Sequence, residues 1–252
     1  MEPCNTPLKP RLQLSRVTEE ELASFNNCGL NYRSIIGALN YISTNTRLDI
    51  SFAISHRSKF LEHPSFNHWK ASLKVLHYLL HTKSLTLNYH NKGKSNIITY
   101  TVADWGNSII DRRLVSGYVL LLNHHLISWR TKKQQTISHS TTEAEFEALT
   151  NTSKENLWFQ QLLNKTNIEG CKNNPPLFNY NKGAIDLVHS NINHNEFKTR
   201  HMDIKYHFIQ DLIKTKKVNL FYICTHLMEA EFLTKAIGIT MLLRSHSTIN
   251  LD

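Results

Sequence analysis

The spacing of apolar residues divides the chain into a helical first part and a mixed second part. Between residues 32 and 81 the apolar positions recur at helical intervals and predict three helices over 32–41, 49–61 and 68–81. These helices are expected to form a small bundle. Its predicted core consists of Trp69, Val75, Leu76, Leu79 and Leu80.

From residue 96 the pattern is typical of strands alternating with helices. Runs of β-branched and aromatic residues predict three strands linked as hairpins, followed by two later strands at 177–180 and 218–224. Helical spacing predicts helices after residue 140, at 184–189, at 202–213 and at 229–237. This order predicts an α/β fold with a mixed sheet and flanking helices.

The helix after residue 140 carries the most informative carboxylate in the chain. Ser140-Thr141-Thr142-Glu143 is a capping-box pattern that predicts the helix start. Glu145 lies on the same side as Leu149 and should point toward whatever the helix packs on. The alternative is a solvated acid stabilised by the helix dipole. The predicted buried face consists of Leu149, Leu157, Trp158 and Leu162.

The amino-acid sequence around this helix start resembles that of a known family. SWRTKKQQTISHSTTEAEFEAL is similar to the SW-S-KKQ-T-ALSSTEAEY-AL signature of the ribonuclease H region in copia-type LTR retrotransposon Pol polyproteins. Earlier, YRSIIGALNYI, TRLDISFAIS and HWKASLKVLHYL resemble the segments that follow the reverse-transcriptase palm. The polymerase motif Tyr-x-Asp-Asp does not occur in the sequence, so no polymerase active site is expected in this chain.

The resemblance implies a domain plan. Residues 1–95 would be the helical thumb and connection of a reverse transcriptase. Residues 96–240 would form a ribonuclease H-like domain with a mixed five-stranded sheet, and 241–252 a tail. In the family this domain hydrolyses the RNA strand of RNA–DNA hybrids during reverse transcription.

The resemblance also implies a site built from four carboxylates that bind two Mg²⁺ ions, about 4 Å apart. Of the four ligand positions, the second is kept in this chain as Glu145. At the fourth position, where the family has an Asp, this chain has Glu231. The first and third positions hold Val102 and Tyr180. Valine has no lone pair, and a phenol with an ordinary pKa of about 10 is a poor ligand for magnesium. Glu145 and Glu231 are therefore expected to be remnants of an incomplete site, with no productive Mg²⁺ binding.

Three functional hypotheses remain open at this point. The first is a catalytically inactive remnant, and the second is an active ribonuclease H that has rebuilt its metal site with Asp104 and Asp186. The third is a module that binds RNA–DNA hybrids without cleaving them. Binding would use the basic run that contains Arg130, Lys132 and Lys133.

Net charge, cysteine content and the absence of long apolar segments give general indications of the class of protein. A net charge of +9 and a pI near 9.4 favour an anionic partner such as nucleic acid, although a soluble protein can be basic by chance. The four cysteines form no Cys-x-x-Cys pair and indicate reduced thiols. With no apolar signal segment and no long apolar run, we expect an intracellular protein of the cytoplasm or nucleus, not bound to membranes. No feature of the sequence indicates an oligomer.

Overall fold

The computed structural model describes residues 4–8, 14–15, 17–90, 96–104, 114–135, 138, 140–166, 174–190 and 200–251. The chain divides into two compact units, one made of 1–88 with 235–252 and the other of 89–234. The sequence instead predicts divisions after residues 95 and 240. Within the described ranges, no helix is both long and apolar enough to cross a membrane.

The first unit is helical, and one face of its longest helix packs into the core. Its helices are α1 (Glu19–Asn27), α2 (Tyr32–Asn45), α3 (Ser51–Arg57), α4 (Phe66–His81) and α8 (Ile239–Thr248). Val75, Tyr78 and Leu79 of α4 are buried. The prediction that Leu76 and Leu80 are core residues is wrong, because they are 36% and 60% exposed on the other side of α4.

A buried ion pair stabilises this helical unit. Asp49 accepts two hydrogen bonds from the Arg47 guanidinium, at 3.0 and 2.7 Å, and one from the Tyr78 hydroxyl at 2.6 Å. The remaining guanidinium nitrogen of Arg47, Nη1, donates to the Thr82 carbonyl oxygen at 3.0 Å. Both charged side chains are almost fully buried, so each depends on the other for its neutralisation.

The C-terminal residues differ from the predicted tail. Residues 239–248 form α8, in which Leu242, Ser245 and His246 are buried. His246 Nε2 lies 3.8 Å from the Asp49 carboxylate, and Leu251 pairs with Leu87 in an antiparallel bridge. The apolar spacing of this segment is interrupted by Ser245 and His246, which are polar yet buried, so the pattern does not predict a helix.

The second unit contains the predicted sheet. Its elements are β1 (Ile97–Asp104), β2 (Val115–Leu122), β3 (His125–Lys133), α5 (Thr141–Lys165), β4 (Pro176–Asn179), α6 (Lys182–His189), α7 (Arg200–Lys214) and β5 (Asn219–Tyr222). Among the described residues five strands form one sheet in the order β3-β2-β1-β4-β5. The first three strands are antiparallel, whereas β4 is parallel to β1 and β5 is parallel to β4. The prediction of a mixed five-stranded sheet with flanking helices is confirmed.

Helix α5 packs across the sheet and positions the site. Ser140 caps it by accepting a hydrogen bond from the Glu143 backbone N–H at 3.1 Å. Two buried polar contacts fix the helix on β1: Thr152 bonds Thr101 at 2.8 Å, and Asn156 donates to Thr99 at 3.0 Å.

The apolar face of α5 matches the prediction only in part. Leu149 is fully buried, together with Phe146, Phe159 and Leu163. Trp158 and Leu162 are 59% and 41% exposed, so their predicted burial is wrong. The other face of the sheet receives the turn at 231–233.

That turn replaces the predicted helix over 229–237. Glu231–Leu233 is a single 3-10 turn, closed by hydrogen bonds from Leu233 N to Ala230 O and from Thr234 N to Glu231 O, both at 3.1 Å. It packs so closely on β2 that a Cβ at Gly117 would lie 2.7 Å from Leu233 Cβ. This close packing requires glycine at position 117 and holds the turn against β2.

Candidate active site

Glu145 lies in the second turn of α5 and points into the protein. It is 1% exposed, which confirms the expectation that it faces the surface on which the helix packs. Its Oε2 accepts a hydrogen bond from Asn179 Nδ2 at 2.9 Å. The same amide nitrogen lies 3.2 Å from the Thr101 carbonyl oxygen, so Asn179 links α5 to β1 from the end of β4.

Burial makes the ionised form of Glu145 unfavourable. It raises the pKa of the Glu145 carboxyl from its ordinary value to about 7, and the nearby charge of Asp104 acts in the same direction. Polar contacts from Asn179, the Ala103 backbone and Tyr180 oppose this increase. Oε1 is buried and has no hydrogen-bond partner among the described residues. The carboxyl is therefore about half protonated at neutral pH.

Tyr180 follows β4 and occupies the position of the third family ligand. Its hydroxyl donates to the Ala103 carbonyl oxygen at 3.2 Å. Burial raises the pKa of the phenol above its ordinary value, and the charges of Glu145, Asp104 and Glu231 raise it further. All three acids thus act on the phenol in the same direction as burial. The phenol remains neutral and offers only a weak oxygen donor.

The other two positions lie around the same end of β1. Val102 is 1% exposed and is paired with Gly117 on β2. Its neighbours Thr101 and Ala103 are the residues whose carbonyls approach Asn179 and Tyr180. Glu231 is 3% exposed in the 3-10 turn. Val102 alternates with Thr101 and Ala103 along β1, so its side chain lies on the sheet face that receives the 231–233 turn, whereas Glu145 approaches from α5 on the other face.

The residues present do not fit a pair of magnesium ions. Within the described part of the chain, no three side chains of His, Cys, Asp or Glu are grouped so that they could hold a metal ion. Asp104 is close enough to influence Glu145 and Tyr180, but Asp186 is exposed on α6 and is not among the charges that affect either. The structure thus offers no support for a site rebuilt from Asp104 and Asp186.

Asn179 is the site residue that sequence reasoning missed. It is completely buried at the end of β4, and besides its contact with Glu145 it accepts a hydrogen bond from the Asn181 backbone N–H at 2.8 Å. Asn181 in turn caps α6 by accepting from the Ala184 N–H at 2.9 Å. The only sequence signal was its place immediately before Tyr180, because its contact with α5 depends on the pairing of β4 with β1.

The three predicted nucleic-acid-binding residues lie on β3, at the edge of the sheet. Arg130 and Lys132 are exposed, and Lys133 is half-buried, with burial lowering the pKa of its ammonium group. Arg130 also forms an exposed ion pair with Glu155 of α5 at 3.4 Å. Because β2 lies between β3 and β1, these cations are separated by one strand from the β1 residues of the site.

A sheet of this order, with α5 crossing it and acidic positions at the end of β1, defines the ribonuclease H-like fold class. No family model matches the sequence. The chain is 32% identical over 238 residues to the retrovirus-related Pol polyprotein from transposon RE1 of Arabidopsis thaliana. The matching region makes up 94% of this chain and 16% of that protein. The chain belongs to the family of copia-type retrotransposon Pol polyproteins, as the sequence signature predicts.

Two further comparisons concern a shorter relative and a solved structure. The secreted RxLR effector protein 161 of Plasmopara viticola is 38% identical over 127 residues, which is 50% of this chain and 89% of that protein. A solved foamy viral protease–reverse transcriptase in complex with dsDNA has a TM-score of 0.42 and 13% identity, over 85% of this chain and 40% of that chain. This chain spans about a sixth of the length of the Pol polyprotein RE1.

Proposed function

We propose that this chain is a remnant of a retrotransposon Pol polyprotein whose ribonuclease H region no longer cleaves the RNA strand of RNA–DNA hybrids. The observation that carries this proposal is the set of side chains around Glu145. Two of the four positions that match family ligands hold Val102 and Tyr180, and neither supplies an anionic oxygen. Two-metal hydrolysis needs hard, charged oxygen ligands to hold both ions.

The state of Glu145 supports the same proposal. One oxygen of its carboxyl already has a protein partner, because Oε2 accepts a hydrogen bond from the Asn179 side-chain amide at 2.9 Å. The surrounding residues thus hold Glu145 without a metal, and burial disfavours its ionised form.

The test is a cleavage assay with a hybrid that carries a labelled RNA strand. With Mg²⁺ present, the wild-type chain should release no more product than Glu145→Gln. Glu143→Gln is the matched control, because it removes an acid from the first turn of the same helix. Cleavage that is lost with EDTA and with Glu145→Gln, but kept by Glu143→Gln, would overturn the proposal.

A second candidate function is binding of RNA–DNA hybrid without cleavage. Its support is the exposed row of cations on β3, Arg130 and Lys132 with Lys133 beside them, in a chain of net charge +9. Such binding needs no metal and relies on phosphate contacts, so its affinity should fall steeply with salt, with a slope of about −0.9 per phosphate neutralised on a B-form duplex. At that slope three phosphate contacts would lose roughly 40-fold in affinity between 50 and 200 mM salt. An affinity unchanged over this range would exclude this mode.

A further inference from the structure

A groove lies between α5 and the β2–β3 edge of the sheet, with a cavity volume of about 280 Å³. One wall carries Arg130, Lys132 and Lys133 of β3. The opposite wall carries Lys154 of α5 and Lys205 of α7. We call this feature the α5–β3 groove. The sequence does not predict the second wall, because Lys154 and Lys205 are distant in sequence from the basic run at 130–133.

The charge of the groove is strongly positive but partly opposed from within. Arg130, Lys132, Lys154 and Lys205 face two acids, Glu147 and Glu155, which leaves an excess of two positive charges. Lys133 alternates with Lys132, and its side chain lies on the other face of the sheet. Each acid has a cationic partner: Glu155 pairs across the groove with Arg130 at 3.4 Å, and Glu147 pairs with Lys205 on its own wall at 3.5 Å. The Lys154 ammonium lies 5.7 Å from the centre of the Phe208 ring. The β3 wall is net positive, whereas the two lysines of the α5–α7 wall are balanced by its two acids.

The lining between the charged walls is polar. Asn151 contributes an exposed amide, and Ser116 contributes a half-buried hydroxyl that accepts a hydrogen bond from Gln134 at 2.7 Å. Hydroxyl and amide donors are the neutral groups that commonly bond phosphate oxygens beside Lys and Arg. The volume is below the roughly 300–1,000 Å³ of pockets that enclose drug-sized ligands. A groove of this size and charge suits a phosphate with its sugar better than a base pair.

We propose that the α5–β3 groove binds the phosphodiester backbone of one nucleic-acid strand, with Lys154 and Lys205 contacting phosphates from the side opposite to β3. This rests on the proposed hybrid-binding function and gives it a location apart from the carboxylate cluster at Glu145. It also assigns a role to Glu147 and Glu155. Because each acid holds a cation that would otherwise face phosphate, the two acids compete with the strand and weaken its binding.

The experiment measures the affinity of the full chain for a fluorescent 20-base-pair RNA–DNA hybrid at several salt concentrations. Lys154→Gln and Lys205→Gln should each weaken binding several-fold and reduce the salt slope by about one. Glu155→Gln should strengthen binding several-fold, because it releases Arg130. Lys165→Gln is the matched control: it removes one exposed lysine from the last turn of the same helix, outside the groove.

The outcomes separate the groove from the binding function. If the hybrid binds and Lys165→Gln weakens it as much as Lys154→Gln does, the attraction is general and the groove assignment is overturned. If Glu155→Gln binds no better than wild type, the proposed competition is overturned as well. If the wild-type chain binds no hybrid even at low salt, the binding function itself fails, together with the groove. Because Glu155→Gln is expected to gain affinity, its result cannot be mistaken for misfolding.

Discussion

Asn179 Nδ2 donates to Glu145 Oε2 across 2.9 Å, joining the end of β4 to the second turn of α5. In a magnesium site that carboxylate would be ionised and in contact with the metal. Here a neutral amide holds it, and burial raises its pKa to about 7.

Glu145→Gln should stabilise the chain at alkaline pH. The folded-state pKa of Glu145, about 7, lies above its ordinary value of 4.5, so ionisation costs stability as pH rises from 4.5 to 7, and the full cost remains above pH 7. At about 1.4 kcal/mol per unit of pKa, the variant should gain up to about 3 kcal/mol at pH 8 and almost nothing near pH 4. Urea unfolding at the two pH values measures the difference. An equal effect at both would contradict the buried, half-protonated carboxyl.

Restoring the family's ligands should create a metal-dependent protein. Val102→Asp, Tyr180→Asp and Glu231→Asp would place four carboxylates around the end of β1. Without metal their mutual repulsion and burial should destabilise the triple variant. Magnesium should then raise its melting temperature, since saturation to 100 times the Kd stabilises a native state by about 2.7 kcal/mol. A variant that folds yet responds neither in melting temperature nor in hybrid cleavage would show that the four positions do not converge.

Much of the site's scaffold is readable from the sequence, and the exceptions have physical causes. The burial of Glu145 follows from helical spacing, and the strands follow from β-branched runs. Asn179 could not be recognised, since its partner is brought to it by strand pairing across the sheet. Trp158 has the spacing of a core residue, but spacing does not show whether another element covers it, and it is 59% exposed. For α8, the buried His246 breaks the apolar pattern, so the segment resembles a tail.

Removing Asp49 should strongly destabilise the helical unit. Asp49→Ala leaves the Arg47 guanidinium buried without its carboxylate and removes the acceptor of the Tyr78 hydroxyl. Loss of one member of a buried pair costs about 3–5 kcal/mol. The double variant Arg47→Ala/Asp49→Ala should lose less unfolding free energy than Arg47→Ala and Asp49→Ala lose in sum, as measured by urea unfolding. Strict additivity would mean that the pair is not coupled.

Gly117→Val should displace the turn that carries Glu231. A Cβ at this position would lie 2.7 Å from Leu233 Cβ and 3.1 Å from Thr234 Cγ2, so the turn must move or the strand must bend. Overpacking of this kind costs about 1–3 kcal/mol. Gly37→Ala is the control, because a Cβ there meets nothing within 4 Å. Equal thermal stability of Gly117→Val and wild type would contradict the close packing of the turn on β2.

The central claim is that the acids around Glu145 no longer hold magnesium, and calorimetric titration of the wild-type chain with Mg²⁺ tests it most directly. At pH 8, where the carboxyl of Glu145 is mostly ionised, the account predicts no saturable binding that differs between wild type and Glu145→Gln. Saturable uptake of one or two ions that disappears in Glu145→Gln but persists in Glu143→Gln would contradict it.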